Sequence, residues 1–121
     1  MDADRPFHLY IADEDPTLRD MLSNYLEKQG LMVTSIASVD DLLHRTRQLR
    51  PDLIVLESGL SGLGGVQAWE RLHAEGFRVP VILLTNSEQD VLHLKENTGA
   101  DDCLCKPFSV RDLLSHVQNV L

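Results

Sequence analysis

Five side chains with reactive chemistry come from four separate stretches of this 121-residue chain: Asp13, Glu14, Glu57, Thr85 and Lys106. Each closes a short apolar run. His8-Leu9-Tyr10-Ile11-Ala12 ends in Asp13-Glu14, Asp52-Leu53-Ile54-Val55-Leu56 ends in Glu57, Val79 runs to Thr85, and Asp102 to Cys105 precedes Lys106. A short apolar run ending abruptly in charge reads as a buried strand meeting its carboxyl edge. In an open parallel sheet, ligands bind outside those edges. Three carboxylates, a hydroxyl and an amine are therefore predicted to converge. Clustered carboxylates repel one another unless a cation joins them, and Mg²⁺ suits one or two carboxylates while keeping waters for a phosphate. A lysine and a hydroxyl opposite would take phosphate oxygens through charge-assisted hydrogen bonds. Taken singly, Glu57 could cap a strand, Thr85 could serve as a β-former and Lys106 could be solvated. At successive strand ends they read as one site.

The elements between the strands follow. Asp15-Pro16 predicts a helix start, with Leu18, Met21, Leu22, Tyr25 and Leu26 at helical spacing and Gly30 as terminator. Met32 to Ala37 is a second strand. Ser38 with Asp41 resembles a capping box before Leu42, Leu43 and Leu49, and Pro51 stops that helix. A glycine-rich loop from Ser58 to Gly65 leads into a helix carrying Val66, Trp69 and Leu72 that ends at Gly76. A weaker helix is expected from about Glu88 to Asn97. Pro107 breaks the chain, and Ser109 with Asp112 opens a last helix bearing Leu113, Leu114, Val117 and Val120. Five strands alternating with five helices predict one α/β domain over 1–121, a mostly parallel sheet covered on both faces.

Composition narrows the function. Hydrophobic residues make up 43% and charged residues 25%, as in an ordinary globular domain. A net charge of -8 argues against direct nucleic-acid contact, which needs clustered Lys and Arg. Met1-Asp2-Ala3-Asp4-Arg5-Pro6 lacks the apolar core of a leader, and no run reaches the ~20 residues that span a bilayer, so a cytoplasmic protein is expected. Cys103 and Cys105 read as two reduced, buried thiols, because a bridge so tight has poor geometry and no further ligands suggest zinc. His44, His73 and His116 read as surface residues, and Trp69 as core or rim.

Asp13-Glu14-Asp15-Pro16, Pro51-Asp52-Leu53-Ile54-Val55-Leu56, Leu83-Leu84-Thr85, Gly99-Ala100-Asp101-Asp102 and Lys106-Pro107-Phe108 together resemble the landmarks of response-regulator receiver domains, from Leu9 to Leu121. The resemblance implies a flavodoxin-like five-stranded parallel sheet of order 2-1-3-4-5, with helices on both faces. It implies a two-component phosphorelay in which a histidine kinase donates phosphate to an aspartate at position 57. It further implies a Mg²⁺ site at Asp13, Glu14 and residue 57, a switch hydroxyl at Thr85, a phosphate-contacting lysine at Lys106, and a cis Lys106–Pro107 bond. In many such domains the last strand and helix form a homodimer; here Asp101, Asp102, Arg111 and Asp112 supply charges on that face. A DNA-binding half beyond residue 121 would make this the front of a transcription regulator.

The pattern breaks where the phosphate should go. Glu57 replaces the acceptor aspartate and extends its carboxylate by on the order of 1.3 Å. In-line transfer tolerates little misplacement, with about a hundredfold lost per ångström. Glu14 is likewise longer than the aspartate many receivers carry, so Mg²⁺ binding is expected to be weakened. Ser61 stands where proline is usual, Gly64 where an acid is frequent, Asn86 where alanine is common, and Cys103 where an aromatic swings inward. Acceptor, loop and switch differ together, as natural divergence would leave them. The expectation is an atypical receiver, no enzyme, working as a phosphorylation-independent interaction module with a histidine kinase or another signalling protein. Glu57 would either mimic the phosphorylated state by reaching Lys106 and Thr85, or mark a decayed site.

Asp13-Glu14-Asp15-Pro16-Thr17 also resembles the signature of haloacid dehalogenase-like phosphohydrolases, with Asp13 as nucleophile. Against it, Lys106 follows Asp101-Asp102 instead of preceding them, and Pro16 starts a helix at once. The loop Gly59-Leu60-Ser61-Gly62-Leu63-Gly64-Gly65 matches neither nucleotide-binding glycine motif, since Gly65 stands where a lysine is needed.

Overall fold

The computed structural model describes residues 6–121. The leader reading therefore falls almost wholly outside the described residues. Five strands alternate with five helices: β1 (His8–Ala12), α1 (Pro16–Lys28), β2 (Met32–Ile36), α2 (Val39–Gln48), β3 (Leu53–Glu57), α3 (Gly65–Ala74), β4 (Val81–Thr85), α4 (Glu88–Thr98), β5 (Asp102–Cys105) and α5 (Val110–Val120). The strands form one sheet of order β2-β1-β3-β4-β5, every pair parallel. Each carboxyl end therefore points the same way. Among the described residues no helix is long and apolar enough to cross a membrane.

β1 and β4 are buried along their whole length and β3 up to its last residue, which is why they are apolar on both faces. Alternation sorts their side chains into two layers. Tyr10, Ala12, Ile54, Leu56, Val81 and Leu83 face α2 and α3. Leu9, Ile11, Leu53, Val55, Ile82 and Leu84 face α1 and α5. α4 lies apart from both pairs: it buries no residue fully, and only Val91 and Leu94 lean on the α2–α3 layer.

Local signals explain the element ends. Asp15 caps α1 by accepting from the Thr17 N–H at 3.0 Å, with Pro16 in the first turn. At the other end Leu31 N–H reaches Leu26 O at 3.2 Å and Gly30 N–H reaches Glu27 O at 3.0 Å. This paired closure needs a left-handed residue, and Gly30 supplies it with φ 88°. Gly76 and Phe77 close α3 in the same way.

Several expectations shift. β2 stops at Ile36, one residue early, because Ser38 already turns the chain into α2. The Ser38 hydroxyl accepts from Asp41 N–H, but among the described residues only Ser109 and Asp112 complete a reciprocal capping box. Met21 and Leu49 are exposed: Leu18, Leu22 and Leu26 form the inward line of α1, and Leu49 is already the cap of α2. Trp69 is core, 3% exposed, and its indole N–H donates to Thr98 O at 3.1 Å.

Candidate functional site

Asp13 follows β1 directly and is completely buried. Its Oδ1 accepts from Asp15 N–H at 2.9 Å, and its Oδ2 accepts from the Lys106 ammonium at 2.6 Å. Glu57 is the last residue of β3, on the strand beside β1. Its Oε1 lies 3.4 Å from Lys106 Nζ, and its Oε2 accepts from Glu14 N–H at 3.1 Å. Lys106 arrives from the end of β5, held by its own N–H donating to Thr85 O at 2.8 Å and followed by a cis bond to Pro107. Thus acids from the start and middle of the chain meet an amine from near its end. Arg19 pins the connection, its Nη1 donating to Asp13 O at 2.6 Å and to Glu14 O at 3.1 Å.

The Lys106 side chain is 19% exposed, Glu57 16% and Asp13 1%. Burial alone would push the Lys106 pKa down, but the hydrogen bond and charge of Asp13, aided by Glu57, outweigh it and hold the pKa above its ordinary value. The ammonium is therefore the built-in counter-charge of both acids.

Two expected contacts are absent. The Glu14 side chain is exposed, and only its backbone N–H joins the cluster. Consecutive residues leaving a strand point to opposite sides, so with Asp13 turned in, Glu14 turns out. The Thr85 hydroxyl, buried at the end of β4, accepts from Ser87 N–H at 3.3 Å, and among the described residues no hydrogen bond joins it to Glu57. Glu57 thus reaches Lys106 but not Thr85.

As they stand, two carboxylates gather here, not the three expected around Mg²⁺. All four oxygens of Asp13 and Glu57 already accept from the protein, Glu14 faces solvent, and among the described residues no three His, Cys, Asp or Glu side chains are grouped to hold a metal. Magnesium would have to compete with Lys106.

Cys103 is buried, in register with Leu83, and packs in the α2–α3 layer. Burial, with the Asp102 charge beside it, pushes its thiol up to about 11. Cys105 departs from expectation: it is half-buried, because it closes the outermost strand of the sheet. Both thiols are free.

The charges expected on the last strand and helix are mostly spent within the chain. Asp101 Oδ2 accepts from Val81 N–H at 2.8 Å, Asp112 completes the α5 cap, and Asp102 receives His116 and Lys95. His116 lies at the surface as expected, its side chain 33% exposed, with the ring turned toward the Asp102 carboxylate. No periodicity marks these pairings in the sequence.

The pattern of the family described as response regulator receiver domain matches residues 9–118. This chain belongs to that family. The receiver domain is 33% identical over 111 residues to the DNA-binding response regulator MtrA of Mycolicibacterium smegmatis, a match covering 91% of this chain and 48% of that protein. It is 32% identical, over the same length, to MtrA of Mycobacterium leprae. The chain thus spans about half the length of the curated relatives it matches. In fold it resembles the chemotaxis response regulator CheY4 of Vibrio cholerae, with a TM-score of 0.89 at 22% identity, covering 97% of this chain and all of the other. The receiver domain of Francisella response regulator 1452 superposes with a TM-score of 0.87 at 24% identity, covering 96% of each. The observed 2-1-3-4-5 order is the flavodoxin-like arrangement expected. The phosphohydrolase reading is set aside: α1 begins at Pro16, leaving no room for an extra flap, and Asp13 is enclosed by Asp15 and Lys106.

Proposed function

We propose that this receiver domain passes signals by protein contact, without accepting a phosphoryl group at residue 57. The carrying observation is the closed cluster in which Glu57 bonds to Lys106 and to the Glu14 N–H. An incoming phosphoryl group would have to displace both contacts, at a carboxylate already set on the order of 1.3 Å too far out. The engagement of Thr85 with Ser87, and a small Cys103 in place of an aromatic, favour a module that docks as folded over one thrown by a hydroxyl-to-phosphate movement. Glu57 supplies only part of what a mimic would need, since its bond to Lys106 has no counterpart at Thr85.

Its partners are a histidine kinase or another signalling protein, and a homodimer through β5 and α5 would draw on Arg111. Resemblance over half the length of relatives named as DNA-binding response regulators supports a role as the front of a transcription regulator. Mg²⁺ binding is expected to be weak. Intact mass measurement after incubation with Mg²⁺ and acetyl phosphate should show no change. Addition of one phosphoryl group would overturn the reading.

A further inference from the structure

Asp102 begins β5, the outermost strand beyond β4, and its side chain is 15% exposed. It meets three donors. Its Oδ1 accepts from the Cys103 N–H at 2.8 Å and lies 3.4 Å from Lys95 Nζ of α4. Its Oδ2 is hydrogen-bonded to His116 Nδ1 of α5. The two helices lean on opposite layers: Val91 and Leu94 of α4 on the α2–α3 side, Leu113 and Val117 of α5 on the α1 side. One carboxylate at the sheet edge therefore joins both layers. For α4, which buries no side chain fully, that joint adds to the packing of Val91 and Leu94 and to the Trp69 bond at Thr98 O.

We propose that Asp102 and His116 form a proton-operated latch: the charged His116 ring ties α5 to the sheet edge by a charge-assisted hydrogen bond, and loss of the ring charge leaves a weaker neutral Nδ1–H bond, which loosens α5 and shifts the Asp102 carboxylate toward Lys95 of α4. The surrounding groups permit such a device. β5 brings Asp102, and its neighbour Cys103 stays a neutral thiol through the physiological range because burial and Asp102 raise it. On α5 itself, Asp112 one turn earlier is engaged in the Ser109 cap. α1 also packs on α5, yet among the described residues it brings no hydrogen bond or ion pair to His116. Burial would raise the Asp102 carboxyl, but His116, the Cys103 N–H and Lys95 more than offset it and hold it below its ordinary value. Asp102 is thus ionised throughout the range in which histidine changes charge, about pH 5 to 8. The histidine proton alone throws the latch.

NMR of the chain between pH 5 and 8 tests this. The His116 ring should titrate, with the backbone amides of Lys95 and Cys103 shifting at the same midpoint. Amide exchange in α5, corrected for intrinsic rates, should quicken about two- to fivefold across that midpoint, as befits a partly exposed pair. His116→Gln should abolish both pH dependences while the exposed His44, His73 and His93 titrate unchanged, and Asp102→Asn should do the same with His116 present. Lys95 and Cys103 amides that ignore the His116 midpoint, or a pH dependence that survives His116→Gln, would overturn the latch.

Discussion

The carboxyl edge at β1 and β3 and the outer edge at α4 and β5 belong to one sheet but are held by different means. At the first, Asp13, Glu57 and Lys106 close on one another with little access to water, and the strands beneath are buried on both faces. At the second, the helix buries nothing, Leu92 is 65% exposed, and a single carboxylate carries the ties to Lys95 and His116. Low local stability concentrates where apolar contacts are few. The contrast assigns the two edges different work. The closed edge is a fixed framework in this chain, and the loosely held edge is where shape can change.

Removing one charge from each edge should separate them most. Lys106→Met leaves a fully buried Asp13 without its counter-charge, and we expect a loss toward the lower end of about 3–5 kcal/mol in urea unfolding. Lys95→Met removes a half-exposed partner and should cost below about 1 kcal/mol. Equal losses would erase the distinction. Trimming an apolar side chain should give a similar ranking on slightly smaller numbers. Leu56→Ala, at a completely buried position of β3, should cost about 2–5 kcal/mol, whereas Leu92→Ala should stay within about 0.5 kcal/mol.

Alkaline pH supplies a gentler comparison. Cys103 is raised from 9.0 to about 11, and Lys106 is raised above 10.5, so the folded state holds more protons than the unfolded one. Their stabilisation is complete below pH 9 and drains away as pH climbs through the folded values. Unfolding midpoints should therefore be level from pH 8 to 9 and decline toward pH 11. Across the lower part of that range iodoacetamide should label half-buried Cys105 ahead of buried Cys103. Faster labelling of Cys103 would mean that the outer edge opens further than its packing implies.

Much of this architecture could be read from residue order. Apolar runs tipped by Asp13, Glu57, Thr85 and Lys106 revealed the strands and the end at which they gather, because a strand buried on both faces tolerates polar residues only where it emerges. Asp15-Pro16, Gly30, Gly76 and Ser109 with Asp112 marked helix limits through local backbone chemistry, which needs no distant partner. α4 was legible as the weaker helix, but which of its side chains, Val91 and Leu94, lean on the core became visible only with its neighbours in place. The site was legible as a membership, not as a wiring diagram: Glu14 offers its amide in place of its acid, Thr85 turns to Ser87, and His116 turns its ring to Asp102.

What residue order settled, then, was the kind and sequence of elements and the edge on which acids and amine would meet, since these follow from periodicity and local capping. Which carboxylate faces inward, which of two oxygens the lysine takes, and which carboxylate joins helices on opposite layers depend on packing across 93 residues for Lys106 and Asp13 and 14 for His116 and Asp102. A side chain's orientation is chosen by its neighbours in space, and only the assembled sheet brings them together.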